Sequence, residues 1–245
     1  MIALFTDFGL EGPYTGQVKA VLQLLAPGVP VVDLFADAPE KRPKPSAYLL
    51  AAYAPWFPAG SIILAVVDPG VGSEREATIL EADSRWYVGP ENGLLELVRR
   101  RAALSRSWTI APEEPPFGRL SASFHGRDLF APAAAKLARG EFPRAAARPA
   151  EIGRRLDWPD DLPEIVYIDR FGNAMTGLRA SLLPSAARLR AGGRVLSRAQ
   201  TFSEVQSGDA FWYENANGLA EIAVNAGRAD AMLGLEIGSA VSVLS

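Results

Sequence analysis

The hydrophobic pattern of this chain changes character once, and that change constrains the architecture more than any other feature. Ahead of Gly140, apolar runs alternate with segments of helical spacing. Residues 2–6 are apolar and stop at Asp7 and Gly9, as a buried strand does where it meets a polar loop. Residues 16–25 then place Val18, Val21, Leu22 and Leu25 on one side of a helix that Pro27 and Gly28 end. The alternation continues with a strand at 29–35, a helix at 46–53 stopped near Pro55, and a strongly apolar strand at 61–67. Asp68-Pro69-Gly70-Val71-Gly72 breaks that strand. Strands at 78–80 and 85–88 and helices at 94–101 and 129–137 follow. Strands alternating with helices predict α/β layers around a largely parallel sheet.

The stretch 140–163 is rich in Pro, Arg and Ala, has little periodicity, and reads as a linker. Beyond it lie only short strand candidates, at 164–169, 194–196, 210–214, 218–224 and 240–244, with turn residues between them. That is an all-β pattern, a small barrel or sandwich. Phe211, Trp212 and Tyr213 form an aromatic run in one of these strands, and alternation buries some of them in its core. The expected fold is therefore an N-terminal α/β domain with Rossmann-like layers (1–148), a linker (149–162) and a smaller all-β domain (163–245). A chain of 245 residues is long enough for both.

Composition removes several kinds of chemistry. There is no Cys, which excludes disulfides, thiolate catalysis, Fe–S clusters and Cys-bound zinc. A single His, His125, excludes a His-cluster metal site. The formal charge of −3 argues against non-specific binding of nucleic acid. No apolar run reaches the roughly 20 residues that span a bilayer. The first residues carry no basic stretch and soon meet Asp7, unlike a secretory signal. A cytoplasmic protein with no nucleic-acid or membrane partner is expected. Phosphate loops of the G-x-x-x-x-G-K-[ST] and G-x-G-x-x-G kinds are absent. Asp7-Phe8-Gly9 and His125-Gly126-Arg127-Asp128 echo kinase motifs, but in the reverse of kinase order.

Polar residues follow three of the expected strands directly: Asp7, Asp68, and the turn Pro90-Glu91-Asn92-Gly93. In open parallel sheets the ligand crevice lies outside the carboxyl ends of the strands. Asp and Gly also make good turns, so each of these alone is ambiguous; three together, with glycines that let backbone approach a ligand, favour a site. Asp68 and Arg75 can face each other across a Gly-rich turn, as a loop-pinning ion pair also would. His125 precedes a helix with Gly126, Arg127 and Asp128 beside it.

In order along the chain, six motifs resemble those of the S-adenosylmethionine hydroxide adenosyltransferases, relatives of fluorinating and chlorinating enzymes. They are Thr6-Asp7-Phe8-Gly9, Val67-Asp68-Pro69-Gly70-Val71-Gly72, Pro90-Glu91-Asn92-Gly93-Leu94-Leu95, Phe124-His125-Gly126-Arg127-Asp128, Asp169-Arg170-Phe171-Gly172-Asn173 and the run 217–225. Each is weak alone, and the ordered set is specific. The resemblance implies attack of water on the ribose C5′ of S-adenosylmethionine, giving adenosine and L-methionine, with no metal or redox cofactor. It also implies a homotrimer with each site between neighbouring subunits. Asp68, Arg75 and His125 match the water-activating set, and Asp7 the carboxylate that takes the ribose hydroxyls. Phe202 matches the aromatic that stacks on adenine; Asn173 and the backbone at Ala226 match the groups that read its edge. Asp169 matches the partner of the methionine ammonium. Phe8, Phe171, Asn217 and Val224 complete the implied substrate-binding set.

Two positions depart from the family pattern: Ala216 stands where Ser is common near the methionine carboxylate, and Glu91 where Asp is usual. The halogenating relatives resemble the chain equally in fold but carry Tyr and Thr at the positions of Asp68 and Val71, and Tyr at that of His125. The fluorinating ones also have an insertion between the positions of Arg75 and Pro90. A carboxylate at position 68 would repel a halide. Water is therefore the expected nucleophile. A halide adenosyltransferase, a non-catalytic binder of S-adenosylmethionine or adenosine, and a structural trimer with a vestigial site are the alternatives.

Overall fold

A computed structural model describes residues 1–111, 118–148 and 154–244. It divides into two compact units, Met1–Arg155 and Leu156–Ser245. Of the linker read at 149–162, residues 149–153 lie outside the described residues. Arg154 and Arg155 remain attached to the first unit. Arg154 Nε donates to both Glu96 oxygens at 2.9 and 3.1 Å, and Arg100 Nη2 donates to the Arg155 carbonyl at 2.8 Å.

The first unit contains, in chain order, β1 (Ile2–Thr6), α1 (Tyr14–Leu25), β2 (Val31–Phe35), α2 (Pro43–Tyr53), β3 (Ile62–Val66), β4 (Ala77–Ala82), β5 (Arg85–Pro90), α3 (Glu96–Arg101), β6 (Ser105–Ile110), α4 (Ala131–Ala138) and β7 (Ala145–Arg148). Its sheet runs β2-β1-β3-β5-β4-β6-β7. The pairings β1 with β2, β1 with β3 and β3 with β5 are parallel. Those of β4 with β5, β4 with β6 and β6 with β7 are antiparallel. The sheet is thus mixed, not largely parallel: β4 and β5 are joined by a tight turn at Asp83-Ser84, which reverses the chain and forbids a parallel partner. β6 and β7 extend the antiparallel half, and β7 falls within the stretch that reads as linker.

Both faces of the sheet are covered, which is why β1 and β3 are buried at every position. Ile2, Leu4, Leu64 and Ile79 pack against Val18, Val21 and Leu22 of α1 and Ala131, Ala134 and Ala135 of α4. The alternate residues face the other way: Phe5 meets Phe35 at 5.2 Å, and Phe35 meets Tyr53 of α2 at 5.0 Å. Helix α2 begins one turn earlier than the sequence pattern suggests, because prolines are tolerated in a first turn, where N–H groups have no intrahelical acceptor. Helix α4 is preceded by a wide π-helical turn, Gly126–Phe130, closed by the Ala131 N–H on the Gly126 carbonyl. Pro132 has no N–H to give Asp128, and its ring would clash with that carbonyl, so ordinary α-helix cannot run through this point.

The second unit holds β8 (Leu162–Ile168), β9 (Ala174–Arg179), β10 (Arg188–Ala191), β11 (Arg194–Leu196), β12 (Ala210–Glu214), β13 (Leu219–Val224), α5 (Ala229–Leu233) and β14 (Ser242–Leu244). A four-stranded sheet, β12-β13-β9-β8, and a three-stranded one, β11-β10-β14, are antiparallel throughout. Ile165, Ala174, Ile222 and Trp212 of one sheet and Leu189, Ala191 and Leu196 of the other share a core. Of the aromatic run, Trp212 enters this core and donates its Nε1–H to the Ala187 carbonyl at 3.1 Å. Phe211 and Tyr213 turn to the opposite face. No helix among the described residues is long and apolar enough to cross a membrane.

Candidate active site

Asp68 leaves the carboxyl end of β3, and a compact turn returns the chain to face it. The Val71 N–H bonds the Asp68 carbonyl at 3.3 Å, and Ser73 bonds the Gly70 carbonyl through both its N–H (3.0 Å) and its hydroxyl (2.7 Å). Ser73 Oγ then accepts the Arg75 N–H at 3.3 Å. Asn92, from the turn after β5, donates to the Val67 carbonyl at 2.9 Å and fixes the backbone just before Asp68. The sequence marks that turn as a motif, but nothing local in it shows this task for Asn92.

Arg75 ties the centre together. Its Nε donates to Asp68 Oδ1 and Oδ2 at 3.0 and 3.1 Å, and its Nη2 donates to Asp68 Oδ2 as well. The same Nη2 lies 2.8 Å from His125 Nδ1. The guanidinium stacks over Phe130 at 5.1 Å, so the π-helical turn also holds it from behind. The side chains of Asp68 and Arg75 are 5% and 10% exposed, enough shielding to make their attraction strong. A guanidinium has no lone pair to offer, so His125 Nδ1 must be the acceptor. Neutral His125 therefore carries its proton on Nε2. Burial lowers the His125 pKa below its ordinary value of 6.5; the Arg75 charge lowers it further, and Asp68 and Asp128 oppose the shift.

Two glycines make the approach possible. Gly72 has a φ of +82°, and a Cβ there would lie 2.5 Å from the Ala122 carbonyl oxygen, in the loop that leads to His125. At Gly126 a Cβ would lie 3.0 Å from Phe8 Cζ. Phe8, Tyr14 and Phe124 form an aromatic cluster beside the centre, with ring centroids 5.3 to 6.0 Å apart. Asp7 follows β1 and accepts the Lys41 N–H at 2.9 Å. Burial raises its carboxyl above the ordinary value of 3.8, and the Glu40 and Asp68 charges add to that, while the bond from Lys41 opposes it.

The remaining expected residues lie in the second unit. Asp169 and Asn173 clamp each other: the Asn173 N–H and Nδ2 donate to the two Asp169 oxygens at 2.9 and 3.0 Å. Phe171, at the tip of that turn, is 74% exposed. Half-buried Phe202 meets Phe211 edge-on at 5.1 Å and Tyr213 at 5.5 Å. Asn217 sits in a turn where its N–H bonds Asn215 Oδ1 at 2.9 Å. Ala226 is exposed and adopts a φ of +56°; the Val224 side chain is buried in the core, and its carbonyl accepts the Gly227 N–H at 3.2 Å. The sequence marks Tyr213 only as part of an aromatic run and gives Glu221 no role, yet the Tyr213 hydroxyl donates to Glu221 Oε1 at 2.6 Å. The available signal was a lone carboxylate inside the apolar strand LAEIAV.

The fold and these groups define an α/β protein with a polarised Asp–Arg–His centre at the carboxyl ends of its parallel strands, joined to an all-β unit with an aromatic platform. Residues 2–147 match the SAM hydroxide adenosyltransferase N-terminal domain and residues 163–242 the C-terminal domain of the same family, and the chain belongs to that family. A relative named (R)-S-adenosyl-L-methionine hydrolase, from Thermus thermophilus, is 42% identical, with 99% of each chain covered. Another of that name, from Salinispora arenicola, is 35% identical, with 99% of this chain and 97% of the relative covered. A crystal structure of an uncharacterized conserved protein from Thermotoga maritima superposes with a TM-score of 0.85 over all of both chains at 27% identity.

Proposed function

We propose that this protein hydrolyses S-adenosyl-L-methionine to adenosine and L-methionine. The observation that carries the reading is the Arg75 guanidinium bonded at once to Asp68 and to His125. A protein that only bound the ligand would have no use for a buried carboxylate held at a fixed orientation next to a His of defined tautomer.

The reaction is an in-line displacement at C5′. The water oxygen forms the new bond to carbon, the C5′–S bond breaks with its electron pair going to sulfur, and methionine leaves as a neutral thioether. A sulfonium needs no acid to depart, so the protein's task is to ready the water. Asp68 accepts the water's proton, because His125 Nδ1 is already occupied and its Nε2 is a donor. A carboxylate has about four lone-pair sites, so the bonds to Arg75 leave room for one more. His125 Nε2–H orients the nucleophile, and the proton passes on to solvent. Orientation of the water in line with the C5′–S bond supplies most of the acceleration. Charge is neutralised along this path, so a dry surrounding favours it.

On this reading Asp7 takes the ribose hydroxyls, Phe202 stacks on adenine, and Asp169 faces the methionine ammonium. The homotrimer with sites shared between neighbouring subunits, which the family resemblance implies, belongs to the same proposal. The chemistry needs neither electron transfer nor a Lewis acid, so no metal or redox cofactor is required. A cytoplasmic location belongs to the same proposal, since the substrate is a polar cation that does not cross a bilayer unaided. The relatives' printed names specify the R form. With the α-carbon set by the L descriptor, R describes the sulfonium, and we extend that preference to this chain.

The test is incubation of the purified protein with each sulfonium epimer in halide-free buffer made with ¹⁸O-water, followed by mass spectrometry. Adenosine labelled at O5′ from the R epimer is the expected product, with turnover unaffected by EDTA. Product that forms only when chloride or fluoride is added would replace hydrolysis with halide transfer, and bound but unreacted substrate would replace it with a sensor.

A further inference from the structure

One face of the β12–β13 pair carries Trp212 and Ile222 into the core; the other carries Phe211, Tyr213 and Glu221. Glu221 stands directly opposite Tyr213 in the ladder and is 2% exposed. Its Oε1 accepts the Tyr213 hydroxyl at 2.6 Å, and its Oε2 accepts Asn215 Nδ2 at 2.7 Å. Each partner leads to a different part of the proposed ligand site. The Tyr213 ring lies 5.5 Å from Phe202 and 5.7 Å from Phe211, which makes it part of the aromatic platform. Asn215 Oδ1 accepts the N–H groups of Asn217 and Leu219 at 2.9 and 3.0 Å, and so sets the shape of the turn that bears Asn217.

Fold stability alone does not account for a carboxylate here. The Tyr213 hydroxyl and the Asn215 amide are neutral donors that a neutral acceptor would satisfy as well, and a buried charge without a cation beside it is costly. Burial pushes the Glu221 carboxyl above its ordinary range, with the Tyr213 and Asn215 bonds pulling it back and the Asp169 charge adding to the rise. What the carboxylate contributes is geometry: two oxygens at a fixed separation, one for each partner.

We propose that Glu221 is a positioning residue for ligand recognition, whose single carboxylate holds the Phe202 platform and the Asn217 turn in one register. The adenine platform and the turn of Ala216 and Asn217, which the family resemblance sets near the methionine carboxylate, are then held at a fixed spacing for the two ends of the ligand. The identity of the ligand rests on the hydrolase reading; the linkage does not.

The experiment uses the full chain as wild type, Glu221→Ala, Glu221→Gln and Tyr213→Phe, with two readouts: amide hydrogen exchange at Asn217 and Leu219 in the free protein, and kcat and KM for S-adenosylmethionine. Glu221→Ala is expected to speed exchange at both amides and to raise KM, each by about tenfold or more, with a much smaller change in kcat. Gln supplies an oxygen for Asn215 and an NH₂ group that can donate to the Tyr213 hydroxyl, so it restores both readouts to within about threefold of wild type. Tyr213→Phe cuts one arm: KM rises while the two amides exchange as in wild type. A role in stability alone would lower Tm in Glu221→Ala without moving KM, and that result overturns the proposal. Loss in Gln as complete as in Ala also overturns it. If Glu221→Ala does not fold, a wild-type KM in Tyr213→Phe overturns it. A wild type that turns over no S-adenosylmethionine refutes the hydrolase reading, and unchanged exchange in Glu221→Ala then overturns the linkage separately.

Discussion

Replacing Arg75 with Lys keeps the charge and removes the fork. In the native centre Nε and Nη2 both reach Asp68, and Nη2 also reaches His125 at 2.8 Å. A lysine ammonium is a compact point charge that can neutralise Asp68 but cannot repeat the planar pair of bonds and still meet the imidazole. At least one hydrogen bond to a charged group is lost, which is worth about 1.5–3 kcal/mol. If that loss falls on the orientation of the nucleophile, kcat drops by about 10- to 150-fold at roughly 1.4 kcal/mol per decade. KM changes little, because Arg75 touches Asp68 and His125 and is not assigned to the substrate. Arg75→Ala goes further and leaves Asp68, 5% exposed, without its cation. Breaking such a buried pair costs about 3–5 kcal/mol of stability, so Tm should fall further in Ala than in Lys, which keeps the charge. The assay is initial-rate formation of adenosine over a range of substrate concentrations, with thermal unfolding of each variant measured in parallel. A Lys variant with kcat within about twofold of wild type, or a loss found wholly in KM, would refute the role given to Arg75.

Two further predictions follow from the same geometry. The mechanism needs neutral His125 with its proton on Nε2, and burial and Arg75 hold its pKa below 6.5. Activity should therefore be lost on acidification through a pKa below that value; in Arg75→Ala the limb should move to higher pH, since a lowering charge is gone while Asp68 and Asp128 still raise it. A limb that stays in place in the pH–rate profile of Arg75→Ala counts against the assignment. The proposed homotrimer with shared sites predicts complementation: Asp68→Ala and Asp169→Ala chains, each inactive alone, should recover about a quarter of wild-type activity when co-refolded in equal amounts, because a quarter of neighbouring pairs combine two intact halves. No recovery, with mixed trimers shown by mass, would put each site within one subunit.

Some features were legible in the sequence because their causes are local. Residues 2–6 and 61–67 read as buried strands because a strand covered on both faces must be apolar throughout, and β1 and β3 are. Asp7 and Asp68 could be picked out because each ends such a run. Arg75 could be paired with Asp68 because only seven residues and a glycine turn separate them. Other features had no local cause. Strand β9 was missed because it is held by its neighbours β8 and β13, while Gly177, where a Cβ would lie 2.6 Å from Leu162 Cβ, makes the segment look like a turn. Strand β7 was lost in the linker because an Ala-rich tetrapeptide has no pattern of its own; β6 supplies its hydrogen bonds.

The sequence by itself determined the two-part architecture and the chemical inventory, a chain without thiols and with one imidazole, because these depend on residue types and their local periodicity. Tertiary structure alone decided that half of the large sheet is antiparallel, that His125 meets Arg75 from fifty residues away, and that Glu221 joins the aromatic platform to the Asn217 turn. The physical reason is that strand direction and side-chain partnership depend on distance in space. A hydrogen bond of 2.8 Å is made or missed according to how the intervening chain packs, and no periodicity within either segment records that outcome.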